Sequence, residues 1–211
     1  MDAGGLRPAM VEMGDRLAEM GYVALVPDMY YRHGRYAPFN FKTAFSDAAE
    51  RERLMGMVRS VTKAMAISDA GAFLDFLSGR PEVAATGVGC TGYCMGGGLS
   101  LAAAAGHPDR IAAAASFHGG NLASDAPDSP HLMVGSIKGR VYVASAENDG
   151  SFPPEQAERL EAALVTAGVD YQLETYPALH GFAVPDNPTY DADAAERHWK
   201  ALEGLYRSAL V

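Results

Sequence analysis

The sequence predicts one α/β domain, with a mainly parallel β-sheet covered by helices on both faces. The chain has 211 residues, which is enough for one sizeable hydrophobic core. Short runs rich in β-forming residues alternate with longer helical runs, and this alternation implies right-handed βαβ crossovers and a parallel sheet. No internal repeat, low-complexity tract or linker divides the sequence, so we expect a single domain over residues 1–211.

The first half of the chain contains two predicted strands and two helical stretches. Tyr22–Asp28 is predicted as a buried strand that ends at Pro27. Thr43–Ser78 carries helical periodicity and is long enough for two helices. Ala85–Gly92 is predicted as a strand, and Met95–Gly106 as a helix whose small residues face a neighbouring element.

The second half continues the alternation of strands and helices. Ile111–Gly119, Arg140–Glu147 and Val169–Pro177 are predicted as strands. Pro153–Gly168 is predicted as a helix, because it has proline near its start and glycine at its end. Ala195–Leu210 is predicted as a closing amphipathic helix. The pattern therefore supports a sheet covered on both faces.

Composition and charge exclude several classes of function. Hydrophobic residues make up 48% of the chain and charged residues 20%, as in ordinary globular proteins. The formal charge of -9, with no Lys/Arg cluster, argues against nucleic-acid binding. No apolar run approaches the roughly 20 residues that span a bilayer, and the N-terminus lacks a signal-peptide layout. With two cysteines there is no disulfide framework, so a reducing cytoplasm is the expected compartment.

Three predicted strands are each followed by a side chain suited to nucleophilic catalysis. These side chains are Cys94, Asp149 and His180, in that chain order. Because active sites of parallel sheets lie at the carboxyl ends of the strands, we expect the three to meet. The order nucleophile, acid, histidine is that of the α/β-hydrolase triad. The sequence G-Y-C-M-G matches its G-x-S-x-G turn with cysteine in place of serine.

Each residue type has a separate chemical role in this hypothesis. The glycines that flank Cys94 permit a sharp strand-to-helix turn, and the following helix N-terminus favours a thiolate. His180 would take the thiol proton and later protonate the leaving alcohol, while Asp149 would fix its tautomer. The backbone N–H of Met95 would be one oxyanion-hole donor.

Each of the three residues also has a structural interpretation when it is taken alone. Cys94 could be a small buried hydrophobic residue, Asp149 an ordinary NDG turn residue, and His180 a loop histidine. Glu147 is the rival acid and His198 the rival histidine, although His198 is predicted on a helix. The other four histidines precede or miss the required strand end: His33, His107, His118 and His131.

Metal and nucleotide chemistry have little support in the sequence. Cys90 and Cys94 form C-x-x-x-C rather than C-x-x-C, and no second ligand cluster accompanies them. Cys90 is expected mid-strand, facing the core. No P-loop or dinucleotide-binding fingerprint occurs in a strand-turn-helix context. We therefore predict no metal and no nucleotide cofactor.

Four stretches of the sequence carry a resemblance to a known family. They are GLRPAMVEMGDRLAEMGYVALVPDMYYR, TGYCMGGG, YVASAENDGSFPPEQ and ETYPALHGFAVPDNPTYDADAAERHW. Through them nearly the whole chain resembles the dienelactone hydrolase family of α/β hydrolases, which also contains carboxymethylenebutenolidase-like enzymes. The resemblance implies hydrolysis of small lactones or esters through a thioester on Cys94, with Asp149 and His180 as partners. It implies neither cofactor nor metal.

The N-terminal part departs from the family pattern. The resemblance implies further strands before the stretch MDAGG, so the N-terminal strands of the sheet are expected to be missing from this sequence. Asp2 stands where the dienelactone enzymes have a Glu that contacts the thiol. Ala3 is implied as the second oxyanion-hole donor.

The expected substrate contacts also depart from the pattern. Val184 stands where the family has an Arg that binds the substrate carboxylate. A second family Arg corresponds to Arg51 by ungapped counting back from Asp69. Asp2, Arg51 and Tyr93 are the predicted substrate-binding residues.

The leading prediction is a cytoplasmic cysteine hydrolase of small esters or lactones, a monomer or small homo-oligomer that binds neither nucleic acid nor membrane. One alternative is a binding protein on the same scaffold without turnover, and another is a redox-active thiol at Cys94. The natural substrate depends on loop shapes such as those of Met29–Phe45 and His118–Ile137. The sequence alone does not name it.

Overall fold

The computed structural model describes residues 1–84 and 87–210. The helices and strands, in chain order, are α1 Pro8–Glu19, α2 Ala48–Ser60, α3 Lys63–Ser78, β1 Val88–Tyr93, α4 Met95–Gly106, β2 Ile111–Phe117, β3 Arg140–Ala146, α5 Pro154–Ala167, β4 Tyr171–Tyr176 and α6 Ala192–Ala209. Three short 3-10 helices lie at Tyr31–His33, Pro130–Leu132 and Val134–Ser136.

The four strands form one parallel sheet in the order β1-β2-β3-β4. On one face, α1 and α6 bury residues such as Met13 and Trp199 against the sheet. On the other face, α3, α4 and α5 bury residues such as Leu101 and Leu160. The predicted α/β class, with a parallel sheet between two helical layers, is confirmed. All four carboxyl ends point to the same edge of the sheet.

Most predicted elements agree with the structure, with shifted ends. The helix predicted at Met95–Gly106 is α4, and the stretch Thr43–Ser78 contains two helices, α2 and α3. The Thr62 hydroxyl caps α3 by accepting from the Met65 N–H at 3.2 Å. Strands β2, β3 and β4 lie inside their predicted ranges. β1 begins at Val88, and the predicted strand residues 85 and 86 lie outside the described part of the chain.

The predicted strand Tyr22–Asp28 is wrong. The segment is assigned to no strand, and Val23 and Leu25 are 50% and 38% exposed. A cavity of about 460 Å³ lies between this segment and β1. An apolar β-forming run indicates extended chain, but a strand also needs a partner backbone at hydrogen-bonding distance. Among the described residues, this segment has no such partner.

Two helices differ from the sequence prediction. α1 was not predicted, although Pro8 at its first position is a typical helix start and Met10 and Met13 are buried. α6 begins three residues earlier than predicted, where the Asp191 carboxylate accepts from the Ala194 N–H at 2.9 Å. Within the part that the structure describes, no helix has the length and apolar character needed to cross a bilayer.

Candidate active site

Cys94 occupies a strained turn between the end of β1 and the start of α4. Its φ of 53° and ψ of -121° lie outside the helical and strand regions. A Cβ on Gly92 would overlap the carbonyl of Gly96, and a Cβ on Gly96 would overlap the carbonyl of Met1. Only glycine therefore fits at both positions. The turn leaves Cys94 half-buried at the carboxyl edge of the sheet.

The loops after β3 and β4 place an acid and a histidine together. Asp149 Oδ2 lies 2.7 Å from Nδ1 of His180. The other carboxylate oxygen of Asp149 accepts from the Ser151 hydroxyl at 2.7 Å and from the Ser151 N–H at 2.8 Å. Asp149 is buried and His180 is half-buried. Ser151 thus orients the carboxylate, and it was not predicted as a site residue from the sequence.

The electrostatics of His180 link it to both partners. Burial lowers the pKa of His180, but the hydrogen bond with Asp149 and the nearby Cys94 side chain outweigh this effect and raise the pKa to about 10. Burial raises the pKa of Asp149, but hydrogen bonds from His180 and Ser151 outweigh burial, and the net shift is downward. At neutral pH the ring is therefore cationic. A cationic imidazole beside a cysteine is the setting in which thiols act as nucleophiles.

A second histidine lies beneath the turn. His118 is 1% exposed and follows directly after β2, with a φ of 39°. Its Nδ1 accepts a hydrogen bond from the Cys94 N–H at 3.2 Å, and its ring centroid lies 5.1 Å from that of His180. Burial lowers the pKa of His118 well below its ordinary value, so the ring is neutral. Because Nδ1 accepts, the proton resides on Nε2.

His118 was one of the histidines predicted to precede or miss the required strand end, and the strand predicted at Ile111–Gly119 includes it. The observed strand stops at Phe117, so His118 is itself a strand-end residue. The motif FHG at a strand end was the signal that could have found it.

Ala3 and Met95, the residues of the two predicted oxyanion-hole donors, both contact the Tyr30 hydroxyl. The Tyr30 hydroxyl donates to the carbonyl of Ala3 at 2.9 Å and lies 3.2 Å from the Met95 Sδ. Met95 is the first residue of α4, where a backbone N–H has no intrahelical acceptor. The carbonyl of Met1 accepts from the Tyr93 N–H at 3.2 Å, which ties this segment to the end of β1. The structure therefore brings Ala3 and Met95 together.

Asp2 is fully engaged by neighbouring donors. It is 1% exposed, and its Oδ1 accepts from the Gly4 N–H at 2.8 Å and from Arg7 at 2.6 Å. Its Oδ2 accepts from Arg7 at 2.8 Å. Among the described residues no hydrogen bond joins Asp2 to Cys94. Arg7 was not predicted as a site residue from the sequence.

The other predicted substrate-binding residues lie in different environments. Arg51 is exposed on α2. Tyr93 is 4% exposed, and its hydroxyl lies 3.2 Å from His198 Nε2 in the core beneath α6. Val184 is fully buried in the same core. The roles of Asp2, Arg51 and Tyr93 at the substrate stay predictions.

The alternative acid and histidine, Glu147 and His198, do not form a pair like that of Asp149 and His180. The Glu147 side chain is exposed. His198 is fully buried in α6, where Nδ1 lies 2.6 Å from the Ala195 carbonyl and burial lowers the pKa to about 3. Cys90 lies mid-strand with its Sγ 3.1 Å from the Ser100 hydroxyl, and burial raises its pKa to about 11. In residues 1–84 and 87–210, no group of three or more His, Cys, Asp or Glu side chains could hold a metal ion.

Comparison with known proteins gives a consistent family. The sequence model described as the dienelactone hydrolase family matches residues 1–210. A protein named "Putative carboxymethylenebutenolidase" from Synechocystis sp. is 28% identical, with 98% of this chain and 82% of that protein covered. A protein of the same name from Methylorubrum extorquens is 27% identical, with 96% of this chain and 68% of that protein covered.

Solved structures show the same similarity. A dienelactone hydrolase-like promiscuous phosphotriesterase from metagenomic libraries matches with a TM-score of 0.77 and 30% identity, covering 100% of this chain and 84% of the other. A crystal structure named "Putative Dienelactone Hydrolase" from Klebsiella pneumoniae has a TM-score of 0.81 at 23% identity, covering 98% of this chain and 83% of the other, which supports the shared fold.

Proposed function

The chain belongs to the dienelactone hydrolase family, and we propose that it hydrolyses small carboxylic esters or lactones with Cys94 as nucleophile. Family membership supports a hydrolase of this substrate class. One observation carries the mechanistic part: His180, whose pKa is raised, is held at 2.7 Å by Asp149 and packs on His118, which accepts the Cys94 N–H. This arrangement supports a Cys-His-Asp triad.

Acylation begins with attack of the Cys94 thiolate on the substrate carbonyl carbon, while His180 is cationic. The C–S bond forms and the carbonyl oxygen becomes an oxyanion, which accepts hydrogen bonds from the N–H groups of Met95 and Ala3. When the tetrahedral intermediate collapses, the ester C–O bond breaks. His180 gives its proton to the leaving alkoxide, and a thioester remains on Cys94.

Deacylation uses the same groups in the opposite sense. His180 is now neutral and removes a proton from a water molecule that attacks the thioester carbonyl. The C–S bond breaks, the carboxylic acid departs, and Cys94 returns as a thiolate beside a cationic ring. Asp149 stabilises that cation and keeps Nε2 directed at the reacting atoms through its bond to Nδ1.

The chemistry favours activated or strained acyl groups. A thioester forms readily only when the alcohol leaving group is good or when ring opening relieves strain. Val184 is fully buried and apolar at the position of the family Arg, so a guanidinium clamp for a substrate carboxylate is missing there. We therefore propose small neutral esters and lactones as substrates rather than carboxylate-bearing lactones.

The test is release of p-nitrophenol from p-nitrophenyl acetate, with wild type compared with Cys94→Ala and with Cys90→Ala as the matched cysteine control. We expect turnover in wild type and in Cys90→Ala, and none in Cys94→Ala. A burst without turnover would indicate an acylated thiol that does not deacylate, as a binding protein on this scaffold would show. No burst and no turnover in a folded protein would contradict the proposal.

Phosphotriester hydrolysis is a second candidate activity, because the structure at 30% identity bears that description. The same thiolate would attack phosphorus and expel an aryloxide, while the phosphoryl oxygen accepts from the same two N–H donors. A water molecule deprotonated by His180 would then attack phosphorus, break the P–S bond, release the phosphodiester and regenerate the Cys94 thiolate. Paraoxon tests this candidate: turnover that Cys94→Ala abolishes supports it, and its absence in an enzyme active on esters contradicts it.

A further inference from the structure

The Arg7 guanidinium binds two carboxylates at once. Its Nη1 and Nη2 donate to the two oxygens of Asp2 at 2.6 and 2.8 Å, and its Nε and Nη2 donate to Asp186 at 2.7 and 2.8 Å. A further bond runs from Nη1 to the Gly5 carbonyl at 3.3 Å, and the guanidinium lies 4.4 Å from the centre of the Phe41 ring. All five N–H groups are used, and the side chain is 5% exposed.

On one side, Arg7 fixes the segment that carries Ala3. Asp2 Oδ1, bound by Arg7, also accepts the Gly4 N–H, so the carboxylate bridges across the Ala3 peptide. The Gly5 N–H donates to the Asp2 carbonyl at 3.3 Å, and Tyr30 holds the Ala3 carbonyl. These bonds orient the peptide that we propose as the second oxyanion-hole donor.

On the other side, Arg7 is anchored by the loop that follows β4. Asp186 is six residues beyond His180, and its side chain is 41% exposed. The anchor thus reaches from the C-terminal part of the chain, 179 residues away, to the segment that carries Ala3. A planar guanidinium can make two bidentate pairs at once, whereas the point charge of lysine cannot.

We propose that Arg7 is a positioning residue, which acts through Asp2 to hold the Ala3 N–H where the oxyanion develops. The inference rests on the proposed function of Cys94 as nucleophile. It assigns Arg7 no contact with the substrate. Its effect is therefore on the stabilisation of the tetrahedral intermediate and not on the reactivity of the thiol.

The experiment compares Arg7→Lys with Asp186→Asn, and uses Arg16→Lys as a matched control. Arg16 also makes a bidentate pair, with Glu196 at 2.6 and 2.9 Å, and it also lies over an aromatic ring, but its pair is exposed. Lysine keeps the positive charge beside Asp2, which limits the loss of stability that an unpaired buried carboxylate would cause. Three readouts are measured: ester kinetics, iodoacetamide alkylation of Cys94, and amide hydrogen exchange of residues 3–5 by NMR.

We expect Arg7→Lys to lower kcat for p-nitrophenyl acetate by about tenfold or more, with KM changed less than about threefold. Asp186→Asn should give a smaller loss of the same kind, and Arg16→Lys none. Alkylation should stay within about twofold of wild type in all three, because it uses no oxyanion hole. Amides 3–5 should exchange faster in Arg7→Lys than in Arg16→Lys.

Two outcomes would overturn the positioning role. One is unchanged kcat with unchanged exchange at residues 3–5, even if the melting temperature falls, since that is the signature of a merely structural ion pair. The other is a parallel fall of kcat and alkylation, which would mean that the whole site is lost. Absence of ester turnover in wild type would instead contradict the proposed function. In that case, the amide exchange of residues 3–5 alone would test whether Arg7 holds this segment in place.

Discussion

At the level of single residues, the candidate site contains some side chains that were predicted from the sequence and others that were not. Cys94, Asp149 and His180 were predicted from their chain order and strand-end positions. The structure joins Asp149 to His180 by a hydrogen bond and places Cys94 and His180 each against His118. The assignment of the three as a catalytic triad stays a prediction. Ser151, His118 and Arg7 were not predicted, because their contacts depend on loop geometry rather than on spacing.

The charge on His180 gives a prediction about Cys94. Because its raised pKa of about 10 keeps the ring cationic at pH 6, the neighbouring sulfur should stay reactive there. In His180→Ala we expect the iodoacetamide rate at pH 6 to fall by about tenfold or more, as for an ordinary thiol. The measurement is the pH dependence of carbamidomethylation of Cys94 by mass spectrometry. Cys90, whose thiol has a pKa raised to about 11, is the internal slow control. Identical pH profiles of Cys94 alkylation in the two proteins would contradict the interaction between His180 and Cys94.

At the scale of elements, periodicity predicted the helices and strands that have partners. α4 was predicted to the residue because the glycine-rich turn marks its start and the small residues mark its length. The strand prediction at Tyr22–Asp28 failed because composition indicates extended chain but not which backbone lies beside it. α1 was missed although Pro8 marked its start.

The turn between β1 and α4 predicts a strong difference between two glycines. A Cβ on Gly92 would overlap the Gly96 backbone, whereas a Cβ on Gly98 meets its nearest atom at 3.4 Å, an ordinary contact. We expect Gly92→Ala to lower the free energy of unfolding by about 1–3 kcal/mol or more and to abolish ester turnover. Gly98→Ala should leave stability equal or up to about 1 kcal/mol higher, since alanine is the better helix former. Urea unfolding and ester assays are run on both variants. Equal effects of the two substitutions on stability and turnover would contradict the turn geometry.

At the scale of the whole molecule, the parallel sheet gathers residues from distant parts of the chain at one edge. The Met1–Gly5 segment, the turn after β1 and the loops after β3 and β4 all meet there. The location of the site at the carboxyl edge was predictable from the sequence, because active sites of parallel sheets lie there. The hydrogen bonds between the segments that meet at this edge were not predictable.

The site also contributes to stability in a pH-dependent way. The pKa of His180 is raised in the folded protein, so its contribution is complete below the unfolded value of about 6.5 and is lost as pH rises through about 10. Between pH 7 and pH 9.5 we expect the free energy of unfolding of wild type to fall by about 1–3 kcal/mol. Asp149→Asn, which lacks the carboxylate, should show a smaller fall. Denaturant unfolding at the two pH values measures this change in the free energy of unfolding. An equal change in wild type and in Asp149→Asn would contradict the linkage to His180.

Cys94 as the nucleophile is tested most directly by the intact mass of the protein quenched in acid during turnover of p-nitrophenyl acetate. We expect an added acetyl group that peptide mapping locates on Cys94 and that is absent in Cys94→Ala. His180→Ala should acquire this group more slowly. An acetyl group on another residue, or ester turnover that persists in Cys94→Ala, would rule out Cys94 as the nucleophile.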